Sequence, residues 1–227
     1  MPKRRWIVAL AVAVLLGAGA GTVAVAAPSV AAVACPWCYG LTGLGGGVYA
    51  ERDDDSYRTM ADAAGQRVER FYGGRQAHAR VLICTTDACY RRIGGGGEKG
   101  RALRNRALLL SPAGATETIA AHEFAHLELH ERLGDARGKV PHWFDEGLAV
   151  VVSDDPRYLR SGSDRCLVPY DEALTVTRVD WAAAAAGGTD RGYLLAGCVV
   201  SRWVAAHDVH KMVADLRDGM PFEDALS

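Results

Sequence analysis

The sequence predicts an α+β domain, with a small sheet packed on one side of a central helix and a helical subdomain closing the C-terminal side. Three observations predict it. Two short strand-like stretches, residues 79–84 and 101–111, precede a helix-periodic segment beginning near Thr116. That central segment carries the run His122-Glu123-Phe124-Ala125-His126. Only helical periodicity follows it, at residues 191–206 and 209–216. After one helix at 56–72 the two strands come together and the remaining helices follow, a pattern of an α+β domain rather than of regularly alternating βαβ units.

Of the 227 residues, the first 26 read as an export signal. Lys3, Arg4 and Arg5 form a basic start, Trp6 to Ala27 is an uncharged apolar run, and Ala24-Val25-Ala26 offers a small-residue cleavage site. The run is also long enough to span a bilayer, so an uncleaved anchor that tethers residues 6–27 in a membrane stays open. Gly17, Gly19 and Gly21 favour the cleaved form. On either reading the remainder is secreted or held in the cell envelope, outside the cytoplasm.

Residues 27–55 read as a Gly-rich linker, and 56–227 as the folded domain. All 6 cysteines follow the signal, as expected of disulfides in an exported chain. They group as Cys35 with Cys38, Cys84 with Cys89 and Cys166 with Cys198, and pairing within each group is the simplest connectivity. Cys35-Pro36-Trp37-Cys38 has redox spacing, but a thioredoxin-like pair opens a helix in a βαβ unit, and glycines follow here.

Ser56 to Tyr72 reads as an amphipathic helix with Tyr57, Met60, Ala64, Val68 and Phe71 on one side. Ala79 to Cys84 is a short strand, and Gly94 to Gly100 is a loop. Gly95-x-Gly97-x-x-Gly100 matches a dinucleotide fingerprint in spelling alone, because it opens no helix. Arg101 to Ser111 reads as a second strand that immediately precedes the turn at Pro112 into the central helix. Thr116 or Thr118 caps that helix, Ile119, Phe124, Leu127 and Leu133 give it an apolar stripe, and Gly134 stops it.

Residues four apart lie one above the other on a helix, so His122 and His126 can bind one metal ion. Glu123 stands where a general base for hydrolysis is needed. A third ligand has two candidates. His130 continues the face but lies a full turn beyond His126, which makes it a surface residue or a support for the ligands. Glu146, in Pro141-His142-Trp143-Phe144-Asp145-Glu146-Gly147-Leu148-Ala149, follows after enough chain for a turn and a second helix that packs against the first. Two histidines and a glutamate with an open fourth position form a catalytic rather than a structural zinc site.

HExxH followed by W-F-x-E-G-x-A resembles the gluzincin metallopeptidases, in particular the small peptidase MA-like domains related to the thermolysin and aminopeptidase N cores. The resemblance runs from about Val81 to the C-terminus. It implies a zincin-like fold with Asn105 to Ser111 as the exposed edge strand beside the central helix, Zn2+ as cofactor, and His122, His126 and Glu146 as its ligands. It further implies Glu123 as the base toward a zinc-activated water, and Tyr193 as a donor to the tetrahedral oxyanion. The implied activity is a zinc-dependent peptidase acting on peptide or protein substrates. Thermolysin's Asp four residues after the glutamate is here Val150, and the Gly-x-Met-Glu-Asn strand that holds a free amine in aminopeptidases has no counterpart. Internal cleavage is therefore expected. The alternative is a catalytically silent zinc-binding or peptide-binding module of the cell envelope.

Lys and Arg total 26 against 27 Asp and Glu, so nothing implies a nucleic-acid partner. Trp143, Phe144 and Trp203 are expected in the core and His207 and His210 on the surface, and Ala182 to Ala186 carries no chemical signal.

Overall fold

The computed structural model describes residues 27–104, 106–178 and 190–227. The signal at 1–26, Asn105 and the alanine run at 182–186 lie outside the described residues. The elements run α1 (Pro28–Ala34), β1 (Thr42–Gly45), β2 (Val48–Ala50), α2 (Ser56–Tyr72), β3 (Arg80–Ile83), α3 (Asp87–Arg92), β4 (Gly100–Leu103) and β5 (Ala107–Leu110). Then come α4 (Glu117–Leu133), α5 (His142–Ser153), α6 (Tyr170–Ala173), α7 (Arg191–Ala206), α8 (Val209–Arg217) and α9 (Phe222–Ala225). The chain is α+β, as expected.

Five strands form one sheet in the order β1-β2-β3-β5-β4. The inner pairs β2–β3 and β3–β5 are parallel, and the outer pairs are antiparallel. Both faces of the sheet are covered. Val81, Ile83, Leu108 and Leu110 face the main core with α2, α4 and α5, whereas Leu82, Ala107 and Leu109 face Ala32, Leu41, Tyr90 and Ile93. A strand buried on both faces reads as a continuous apolar run, which explains Ala107-Leu108-Leu109-Leu110.

Two expectations are corrected here. The Gly-rich stretch is no linker: residues 42–50 form the β1–β2 hairpin, whose turn uses positive φ at Gly45, Gly46 and Gly47 (89°, 61° and 81°). Glycines that read as flexibility supply a turn that other residues enter at a cost. The folded unit therefore includes residues before 56. Likewise, Arg101 to Ser111 is not one strand but the hairpin β4–β5, turning at Arg104 (φ 47°) with Arg106 N–H donating to the Leu103 carbonyl at 3.1 Å. The exposed edge is consequently β4, while β5 lies between β3 and β4.

Helix α2 occupies the expected span, but its buried stripe is Ala61, Ala64, Gly65, Val68 and Tyr72, with Tyr57, Met60 and Phe71 packed at its margin. Small residues at 61, 64 and 65 let neighbouring groups approach closely, so the stripe turns away from the bulkier side chains. Gly65 shows why: a Cβ there would lie 2.4 Å from the Arg75 guanidinium.

Three disulfides join Cys35–Cys38, Cys84–Cys89 and Cys166–Cys198, and no cysteine is free. They suggest an oxidising, extracytoplasmic environment. Among the described residues no helix is long and apolar enough to cross a membrane. The third bridge ties the loop after α5 to α7 across 32 residues, a closure worth about 3–4 kcal/mol in the chain-entropy model. We expect denaturing, non-reducing alkylation to label no thiol, with peptide maps linking these same pairs. Labelling of Cys166 or Cys198 would contradict that closure.

Candidate metal centre

Helix α4 starts where Thr116 accepts the Ile119 N–H at 3.3 Å and ends at Gly134 (φ 56°). Its length keeps His122, His126 and His130 on successive turns of one face. Helix α5 starts after Pro141, and its first turn is anchored by Phe144, whose ring packs against Trp203 and Phe222, both at 5.2 Å. That anchor holds Asp145 and Glu146 against α4; of the three aromatics expected in the core Phe144 is buried, while Trp143 and Trp203 are half-buried against it.

The two helices bring His122, His126 and Glu146 together, with one candidate ligand atom from each within 4.8 Å of the others. His122 Nε2 lies 3.2 Å from His126 Nε2 and 3.2 Å from Glu146 Oε2, and His126 Nε2 lies 3.5 Å from the same oxygen. Ligand atoms about 2.0–2.2 Å from a tetrahedral ion stand about 3.3–3.6 Å apart, so the triangle already has the size that such an ion needs. His122 and Glu146 are 8% and 9% exposed, which leaves approach mainly from the cleft.

Asp145, which the sequence reading missed, completes the support. Its Oδ1 accepts from His126 Nδ1 at 2.7 Å and its Oδ2 from His130 Nε2 at 2.7 Å. A carboxylate on Nδ1 fixes the tautomer that turns Nε2 toward the metal position. His130 is thus a support for Asp145 and stands outside the ligand triangle. Burial alone would push the Asp145 carboxyl up, yet the charge and hydrogen bonds of His126, joined by His130, hold it well below the usual range. Burial would lift Glu146 too, and the charge and hydrogen bonds of His126 and His122 outweigh it and hold this carboxyl below the usual range. Burial would lower His126, and Asp145 and Glu146 instead raise it well above an ordinary histidine. The pocket between the two carboxylates is built for a positive charge.

Glu123 lies outside the triangle and lines a cavity of about 210 Å³ with His122, Gly100, Arg157 and Tyr193. Edge strand β4 runs along it so closely that a Cβ on Gly100 would lie 2.8 Å from Glu123 Cγ. Tyr193 enters from α7, its ring 6.1 Å from His122 and stacked on Tyr158 at 5.1 Å. Burial, then the charges of Glu146 and Glu123, push its hydroxyl well above the usual value, so it stays a donor. Helix α7 comes this near because two glycines mark its crossing with α5. A Cβ on Gly147 would stand 2.6 Å from the Ala196 carbonyl oxygen, and one on Gly197 would stand 2.8 Å from Val150 Cγ1.

The sequence reading also passed over other groups. Glu98 and Asp190 line the same cavity, but Glu98 accepts from Tyr90 Oη at 3.1 Å and Asp190 is bonded to Tyr158. His142 Nδ1 stands 3.6 Å from Glu146 Oε1 on the exposed side of α5. Glu51, Cys84 and Cys89 also cluster, but both sulfurs are disulfide-bonded and the carboxylate is taken by Thr85 and Thr86. His207 and His210 are exposed, as expected. The segment from Gly95 to Gly100 leads into β4, not into a helix. Compared with known proteins, the chain matches no described family, no curated protein and no solved structure.

Proposed function

We propose that this chain is a zinc-dependent peptidase of gluzincin type, with a zincin-like arrangement of sheet edge, HExxH helix and glutamate helix. The observation that carries the reading is the ligand triangle of His122, His126 and Glu146 with Glu123 beside it, facing a cleft bounded by β4. The donor set fits zinc: two imidazole nitrogens and one carboxylate oxygen, with a fourth position left toward the cleft. When bound, zinc supplies a Lewis acid that polarises the scissile carbonyl and acidifies water.

The chain's own groups do the rest. Glu123 takes the proton from the attacking water and delivers it to the leaving nitrogen. Tyr193, kept protonated by its surroundings, donates to the oxyanion that develops on the carbonyl. Asp145 holds His126 in one tautomer, so that no reorganisation is needed as charge develops. The outer edge of β4, Gly100 to Leu103, offers an extended peptide the pairing groups of an edge strand, which read shape more than sequence.

Such an edge orients a peptide without fixing its ends, and this favours internal cleavage. Among the described residues Glu98 and Asp190 favour an aminopeptidase, since a pair of carboxylates can hold a free amine, although both are engaged by tyrosines. The two readings separate on one comparison. The N-acetylated and free-amine forms of a cleaved peptide should differ by less than about tenfold in kcat/KM. Strict dependence on the free amine would return the aminopeptidase reading. Absence of cleavage of any peptide would leave the silent binding module.

A further inference from the structure

Beside the cleft lies a second cavity of about 310 Å³ that shares Lys99, Ile119 and Arg157 with it. Ala113, Ile119 and Pro156 give it an apolar floor, and Thr116 and Thr118 bring in the first turn of α4. Its uncompensated charge is positive and comes from Lys99, because Asp155 balances Arg157. Asp155 is the one carboxylate lining it among the described residues, and that group is fully buried and spent. It accepts from the Arg157 main-chain N–H at 3.0 Å and from Arg157 Nε at 2.9 Å, and it also takes Nη2. Lys99 forms no ion pair among the described residues, and Arg157 Nη1 is left over after Asp155 is satisfied. The N-terminal end of α4 adds its partial positive charge to the same space. The carboxylates Glu98, Glu123 and Asp190 line the neighbouring cleft and not this cavity.

We propose that this cavity is a subsite for an acidic side chain of the peptide, adjacent to the bond that is cut. It rests on the peptidase reading for the direction from which the peptide arrives. A peptide lying along β4 passes Gly100 and then Lys99, where the cleft opens into the cavity. An Asp or Glu there meets Lys99 and Arg157 at the shared mouth and lays its methylene carbons on Ile119 and Pro156. A lysine meets the like charge of Lys99 instead, and a leucine gains the floor but leaves Lys99 without a partner.

The test separates binding from turnover by using the Glu123→Gln protein loaded with zinc. Fluorescent Ala/Ser host peptides, N-acetylated and carrying one central Glu, Gln, Leu or Lys, are titrated by anisotropy. Glu should bind about five- to tenfold tighter than Gln, and Lys should bind weakest, with the preference shrinking at high salt. Lys99→Glu should reverse the order of Glu and Lys, while Lys211→Glu on the exposed face of α8 should leave it unchanged. Equal affinity for Glu and Gln, tightest binding of Leu, no binding of any peptide, or an unchanged order in Lys99→Glu would overturn the subsite. Wild-type protein that prefers Glu in binding yet cuts nothing would sink the peptidase reading alone. Turnover without an acidic preference would sink the subsite alone.

Discussion

Glu123→Gln should keep its metal and lose hydrolysis by about 10²–10⁴-fold, the contribution typical of a positioned general base. The side chain stands outside the ligand triangle and faces the cleft, so an amide of the same shape leaves His122, His126 and Glu146 undisturbed. The amide can neither accept the proton of the attacking water nor return one to the leaving amine. The pair of readouts matters, because loss of activity with loss of metal would describe a collapsed site. Retained metal with full activity would remove Glu123 from the mechanism, and a silent binding module shows no activity in either protein.

Glu146→Ala should weaken zinc binding by more than about a hundredfold, beyond the 10–100-fold that accompanies loss of a ligand's hydrogen-bond partner. It removes the anionic ligand from a triangle whose other members are neutral imidazoles when metal is bound. His130→Ala should cost less than about tenfold, since His130 reaches the metal position only through Asp145 and His126. Competition with a chromogenic chelator reads both on one scale. The reverse ranking would make the third ligand a histidine and take the gluzincin resemblance with it.

What could be read from the sequence and what could not divide along a physical line. His122, Glu123, His126 and the cap at Thr116 were legible because helix periodicity is local. Glu146 was legible because a catalytic site with two histidines needs one more ligand within reach of a second helix. Tyr193 came from resemblance, and what brings it near His122 is the crossing of α5 and α7 at Gly147 and Gly197. Asp145 was hidden by its neighbour. Adjacent residues on a helix point about 100° apart, and here Glu146 meets the metal position while Asp145 meets the far side of the same histidine. The signal that could have found it is general: a ligating histidine gives its other N–H to a carboxylate.

The sheet was the harder part. Strand order depends on pairings between distant residues, which no local pattern encodes. The three glycines at 45–47 read equally as linker or as hairpin turn, and the basic turn at Arg104 to Arg106 was absorbed into one long strand. The consequence reached the site, because the edge that borders Glu123 is β4 and not the stretch from Asn105 to Ser111.

Metal analysis of the purified protein decides whether His122, His126 and Glu146 form a preformed site for one zinc ion. The expected result is about one zinc per chain, coordinated by two imidazole nitrogens and a carboxylate oxygen at about 2.0–2.2 Å in X-ray absorption, and lost in His122→Ala and His126→Ala. Protein that is folded, disulfide-bonded and free of metal after equilibration with zinc would contradict it, as would zinc retained undiminished in both histidine variants.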